Sequence, residues 1–109
     1  MLEILIKELT ELNGSSGNEE EIREYILKRV KSYVDSHRVD SMGNLITYKK
    51  GYKSNYKVML AAHMDEVGLM ITGYGDGGTL KFKPVGGIDD RILIGKRVAL
   101  GNQKIPGVI

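Results

Sequence analysis

The sequence contains no cysteine, only two histidines and no long apolar run. The absence of cysteine excludes disulfide bonds and thiolate metal ligands, and it is compatible with a reducing compartment. A membrane-spanning helix needs about 20 mostly apolar residues, and no stretch approaches that length. Residues 1–12 also lack the basic start and apolar block of a signal peptide. These absences predict a soluble, cytoplasmic protein that does not act at a membrane.

The charge of the chain is nearly balanced, with a formal net charge of +2 over 109 residues. The lysines are scattered along the sequence and form no basic patch, so we expect no nucleic-acid partner. Hydrophobic residues make up 41% of the chain, which is ordinary for a globular protein. This length and composition predict one small domain with a hydrophobic core.

Leucines at helical spacing open the chain, at positions 2, 5, 9 and 12. They predict a helix over residues 2–12, followed by a Gly/Ser loop in which Gly14 provides a left-handed helix cap. The loop follows a helix instead of a strand, so we interpret it as a helix–helix connector and not as a phosphate-binding loop. Asn18 is the expected N-cap of a second helix that continues to Val34, with three glutamates in its first turn.

Short β-forming segments separated by turn residues follow the helices. Residues 36–41 and 44–49 are predicted strands joined by a turn in which Gly43 has a positive φ. A glycine-rich turn at 75–78 predicts a hairpin between residues 67–74 and 79–83. Further strands are predicted at residues 92–94, 97–100 and 105–109, with a hairpin turn at 101–104.

An apolar run at residues 58–62 leads directly into His63 and Asp65. A short continuous apolar run is typical of a strand buried on both faces of a parallel sheet, and chemistry collects at the carboxyl ends of such strands. A histidine there can offer one ring nitrogen to a metal while a nearby carboxylate holds the other. The alternative is a purely structural histidine, with Asp65 and Glu66 starting a turn.

Three segments resemble the M42 family of metal-dependent aminopeptidases, which includes glutamyl and deblocking enzymes and members labelled endoglucanases. They are VDSMGNLITYKKG at 39–51, AAHMDEVGLMIT at 61–72 and PVGGIDDRILIGKRV at 84–98. The resemblance implies an α/β fold, in which residues 1–72 are the N-terminal part of a three-layer, zinc-peptidase-like catalytic domain. Residues 73–109 would begin an inserted antiparallel β-barrel domain used in assembly. Because family members are much longer, we expect this chain to be a fragment.

The resemblance also implies that His63 is a ligand of one of two catalytic metal ions, zinc or cobalt, and that Asp65 is the catalytic-site carboxylate that orients it. The remaining ligands and the general base would lie beyond the end of this chain. Glu66 is expected to face away from Asp65 on a strand and to serve as structural support, with a place in the pocket wall as the alternative. Asp89 and Asp90 are interpreted as loop residues, and His37 as a surface residue.

The expected activity is hydrolysis of N-terminal residues from peptides by a homo-oligomer, built from dimers and reaching a dodecamer. With one histidine and one aspartate, the 109-residue chain alone is expected to be inactive and to bind at most one metal weakly. Two alternatives stay open. One is a glycoside hydrolase, which would need a pair of facing carboxylates. The other is a non-catalytic module for assembly or regulation, which the missing ligands favour.

Overall fold

The computed structural model describes residues 1–53 and 55–109 and divides the chain into two compact units, Met1–Asp65 and Glu66–Ile109. Helices and strands are mixed, as expected for an α/β protein. The described strands form three separate two-stranded antiparallel sheets. Among the described residues, neither α-helix has the length and apolar character that crossing a membrane requires. The three-layer arrangement and the barrel, with a domain boundary at 72/73, stay predictions.

The first unit begins with two helices and continues into a β-hairpin. Its elements are α1 (Leu2–Thr10), α2 (Glu20–Val30), a short 3-10 helix (Lys31–Tyr33), β1 (Ser36–Val39) and β2 (Leu45–Tyr48). Both expected helices and both strands are present. Two capping predictions are wrong. α1 ends at Glu11 in ordinary helical geometry, so Gly14 is not its cap, and α2 starts from Glu19 instead of Asn18.

Polar side chains join the two helices. The Tyr25 hydroxyl donates a hydrogen bond to the Glu8 carboxylate, and Arg29 donates to both Glu8 and Tyr25. The Arg29 guanidinium also lies 5.3 Å from the centre of the Tyr25 ring. The Tyr25 hydrogen bond lowers the pKa of Glu8 most, and Arg29 lowers it further. A small charged network therefore connects the two helices.

The turn between β1 and β2 is built around Asp40. One carboxylate oxygen accepts hydrogen bonds from the Met42 and Asn44 amides at 3.0 and 2.9 Å, and the other accepts from the Asn44 side chain at 2.9 Å. These bonds lower the pKa of Asp40, the Asn44 side chain contributing most. Gly43 has φ +85°, which confirms the expected positive-φ turn.

The apolar run at 58–62 is not a buried strand, which corrects the prediction made from the sequence. Val58, Met59 and Leu60 are 85%, 87% and 93% exposed, and no described strand pairs with the segment. The physical reason is that β1 and β2 pair only with each other, so the described residues give the run neither a neighbouring strand nor a covering helix. The prediction of a hydrophobic core is also wrong for this chain, because Ile22 is the one buried hydrophobic side chain among the described residues.

The second unit consists of two β-hairpins with a short helical turn between them. Its elements are β3 (Gly68–Tyr74), β4 (Leu80–Val85), a 3-10 helix (Asp90–Ile92), β5 (Arg97–Leu100) and β6 (Ile105–Val108). The hairpin turns expected at 75–78 and 101–104 are confirmed. The strand expected at 92–94 is wrong, because the Asp89 side chain accepts the Arg91 amide at 3.0 Å and starts a helical turn.

Candidate functional site

A loop between α1 and α2 packs against the segment that carries His63 and Asp65. Gly14 is buried, and a Cβ atom there would lie 3.2 Å from Cγ2 of Ile22 and 3.3 Å from the backbone oxygen of Met64. The value of glycine at this position is therefore its small size, which lets two chain segments approach closely. The expected connector thus also contacts the candidate site.

His63 and Asp65 lie in direct contact. The His63 Nδ1 atom is 3.2 Å from Oδ1 of Asp65 and 3.0 Å from the backbone oxygen of the same residue. A carboxylate oxygen and a carbonyl oxygen can only accept hydrogen bonds, so both contacts require the proton on Nδ1. In the neutral ring, that tautomer leaves the Nε2 lone pair free, and the His63 side chain is 86% exposed.

Ser16 completes the group. Its hydroxyl donates a 2.5 Å hydrogen bond to Oδ2 of Asp65, so the two carboxylate oxygens have different partners. The Ser16 hydrogen bond lowers the pKa of Asp65 most, desolvation opposes it, and the contact with His63 lowers the pKa further. Ser16 and His63 therefore both favour the ionised form of Asp65, which is the form that can accept a hydrogen bond from His63 Nδ1.

A small cleft of about 120 Å³ opens beside these residues. It is lined by residues 62–65, by the turn residues 42–44 and by Glu19. The Asp40 hydrogen bonds hold the 42–44 turn, and Arg23 adds a 3.3 Å bond to the Gly43 carbonyl. Hydrogen bonds therefore brace the turn that forms one wall of the cleft.

Comparisons with known proteins agree with the motifs around this cleft. A family model for the M42 glutamyl aminopeptidases matches residues 43–109, and a model named AMPT matches residues 3–24. The chain belongs to the M42 family. A putative aminopeptidase of Acetivibrio thermocellus is 48% identical over 104 residues, covering 95% of this chain and 31% of that protein.

Solved structures are also similar to this chain. An endoglucanase of Thermotoga maritima has a TM-score of 0.87 at 42% identity, covering 94% of this chain and 32% of its own. The TET1 peptidase of Pyrococcus horikoshii, which can assemble into a tetrahedron or a large octahedral shell, has a TM-score of 0.81 at 42% identity, covering 95% and 31%. This M42 chain thus spans about a third of the length of the proteins it matches.

The donor atoms of the M42 chain fit one ligand position of a metal site and not a complete site. His63 has a free Nε2 and an oriented Nδ1, which is the arrangement that metal-bound histidines adopt. The described residues contain no cluster of three or more His, Cys, Asp or Glu side chains that could hold an ion, whereas zinc sites use three or four protein ligands.

The other candidate residues take no part in the hydrogen bonds between Ser16, Asp65 and His63. His37 is exposed on β1 opposite Thr47. Glu66 is the first residue of the second unit, and Asp89 forms an ion pair with Arg91 at 2.7 Å in that unit. Ser16 was not among the residues expected at the site, because a serine in a Gly/Ser loop carries no signal that distinguishes it from its neighbours.

Proposed function

We propose that this chain is part of a metal-dependent aminopeptidase that removes N-terminal residues from peptides. Membership of the M42 family supports the reaction class. The observation that carries the site assignment is the pair of oxygen acceptors at Nδ1 of His63, which leaves Nε2 free as a metal ligand. Asp65 acts through His63, by fixing its tautomer and ring orientation.

In a complete site, the metals, zinc or cobalt, would polarise the peptide carbonyl and lower the pKa of a bound water. The roles of this chain's residues are narrower. His63 supplies one ligand nitrogen, and Asp65 holds the proton on Nδ1 and raises the basicity of Nε2. We assign the other ligands and the general base to residues outside this chain, so the 109-residue chain alone should bind at most one metal weakly and should not turn over substrate.

The proposal includes assembly into homo-oligomers. A structural neighbour from Pyrococcus horikoshii forms closed shells, and a second neighbour is described as a dodecamer. The large exposed side chains at Val58–Leu60 would gain burial in a larger polypeptide or assembly. Light scattering after size exclusion tests this part, and a strictly monomeric protein at high concentration would contradict it.

The metal assignment is tested by calorimetric titration of zinc and cobalt into the wild-type chain, His63→Ala and His37→Ala. His37 is the matched control, because it is the other histidine of the chain and is also exposed. We expect weak binding that is lost in His63→Ala and retained in His37→Ala. Leucyl-, glutamyl- and lysyl-anilides are assayed in parallel, with no turnover expected from the chain alone.

Equal binding by wild type and His63→Ala would contradict the assignment of the ligand. Tight binding of two metal ions with anilide hydrolysis by the isolated chain would contradict the proposal that the other ligands lie outside this chain.

Endoglucanase activity is the second candidate, because the similar structure from Thermotoga maritima bears that name. Glycoside hydrolysis needs a carboxylic acid with a raised pKa opposite a second carboxylate. Asp65 has the opposite character, since Ser16 and His63 lower its pKa and occupy its oxygens. We therefore expect no release of reducing sugar from carboxymethylcellulose, in an assay run beside the anilides.

A further inference from the structure

We propose that Ser16 is a positioning residue for His63, acting through the Asp65 carboxylate. The inference rests on the proposed role of His63 as a metal ligand, and it adds a residue from a loop 49 positions away in sequence. Ser16 binds one oxygen of Asp65 while the other faces His63. A carboxylate held at one oxygen cannot rotate freely, so the oxygen that accepts the hydrogen bond from His63 Nδ1 keeps its direction.

The loop around Ser16 is itself held in place. The Asn18 amide donates to the Ser15 carbonyl at 2.8 Å, and the Gly17 amide donates to the Glu19 carboxylate at 2.6 Å. Gly17 has φ +86°, which fixes the direction of the chain immediately after Ser16. The hydroxyl therefore approaches Asp65 from a braced backbone, which is what an orienting partner needs.

The need for such a partner follows from the exposure of His63. The His63 side chain is 86% exposed, so its contact with Asp65 must compete with solvent. Of the two acceptors at Nδ1, the Asp65 backbone oxygen at 3.0 Å is fixed by the chain, whereas Oδ1 at 3.2 Å is carried by a rotatable side chain. Ser16 removes the rotational freedom of Asp65 and so stabilises the tautomer that leaves Nε2 unprotonated.

The test compares wild type, Ser16→Ala, Ser16→Thr and the control Ser15→Ala in the full chain. The first readout is the ¹⁵N spectrum of the His63 ring without metal, recorded near pH ~9 where imidazoles are neutral. We expect Ser16→Ala to move the ring toward the Nε2–H tautomer, while Ser15→Ala leaves the ratio unchanged. Ser16→Thr keeps a hydroxyl and should restore the wild-type ratio.

The second readout is zinc affinity by calorimetry. Loss of an outer partner of a metal-binding histidine typically weakens binding by about 10- to 100-fold, and Ser16→Ala should weaken zinc binding toward the lower end. In an Asp65→Asn background, Ser16→Ala should have no further effect on either readout. Circular dichroism and urea unfolding show whether each variant is folded. If Ser16→Ala is unfolded, Ser16→Thr is compared with wild type instead.

An unchanged tautomer ratio in folded Ser16→Ala would overturn the proposal. So would an undiminished effect of Ser16→Ala in the Asp65→Asn background. Failure of the metal assignment would give a different result. His63→Ala would then bind zinc as tightly as wild type, while the tautomer ratio in Ser16→Ala would still test the role of Ser16.

Discussion

Gly14 is the position where one added methyl group best tests the packing of the first unit. In Gly14→Ala the new Cβ would lie 3.2 Å from Cγ2 of Ile22 and 3.3 Å from the Met64 backbone oxygen. Both approaches are closer than ordinary van der Waals contact, and a backbone oxygen cannot rotate away. Overpacking of this kind costs about 1–3 kcal/mol, and the lower entropy of an unfolded alanine offsets about 0.4–1 kcal/mol. The expected net destabilisation is about 1 kcal/mol.

Urea unfolding followed by circular dichroism measures this difference, with Gly51→Ala as the matched control in the same unit. The nearest atom to a Cβ at Gly51 is the Lys53 oxygen at 3.5 Å, so that variant should be neutral or slightly more stable. A Gly14→Ala variant as stable as Gly51→Ala would refute the packing argument, because the site would then have room for the methyl group.

The cause can be isolated with Ile22→Ala. Ile22 is 8% exposed, and its truncation should cost about 2–5 kcal/mol through lost burial and the space left behind. That space accepts the methyl group of Gly14→Ala, so the double variant should be more stable than the sum of the two single effects by at least ~0.5 kcal/mol. If the two effects on the free energy of unfolding were strictly additive, the destabilisation in Gly14→Ala would come from the contact with the Met64 backbone oxygen alone.

Two further predictions concern hydrogen bonds of the first unit. Hydrogen bonds from Asn44 lower the pKa of Asp40 in the folded chain. The contribution of the ionised Asp40 to the free energy of unfolding should therefore be fully present above about pH 4 and be lost as pH falls through the lowered pKa. In urea unfolding, the stability difference between wild type and Asp40→Asn should therefore shrink on acidification, and a constant difference from pH ~6 to ~3 would contradict this. Tyr25→Phe keeps the ring beside Arg29 but removes the bond to Glu8, so Tm should fall by a few degrees, and Tyr33→Phe, on an exposed tyrosine, should leave it unchanged.

Local patterns predicted local structure well. The leucine spacing of α1, the glycines at 75–78 and the Gly43 turn all specify hydrogen bonds between residues near in sequence, and each element is present. The 58–62 run failed because a buried strand depends on neighbours that the run itself does not encode. The prediction of Asn18 as the N-cap was wrong because Glu19 occupies the N-cap position, and its carboxylate accepts the hydrogen bond from the Gly17 amide.

The same distinction applies to the candidate site. Contact between His63 and Asp65 follows from a spacing of two residues and could be predicted. The Ser16 hydrogen bond joins residues 49 apart, and it depends on the close approach at Gly14. Such a contact is a property of the folded chain, so sequence patterns alone do not identify it.

The different spans of these two contacts set an order of events during folding. Closing a loop of two residues carries a small entropic cost, so the imidazole and its carboxylate can meet while the rest of the chain is still unfolded. The serine arrives only when the loop after α1 has docked. The contact between His63 and Asp65 can therefore form early, whereas the Ser16 hydrogen bond to Asp65 forms only after the loop has docked. We therefore expect docking of this loop to be the step that completes the arrangement.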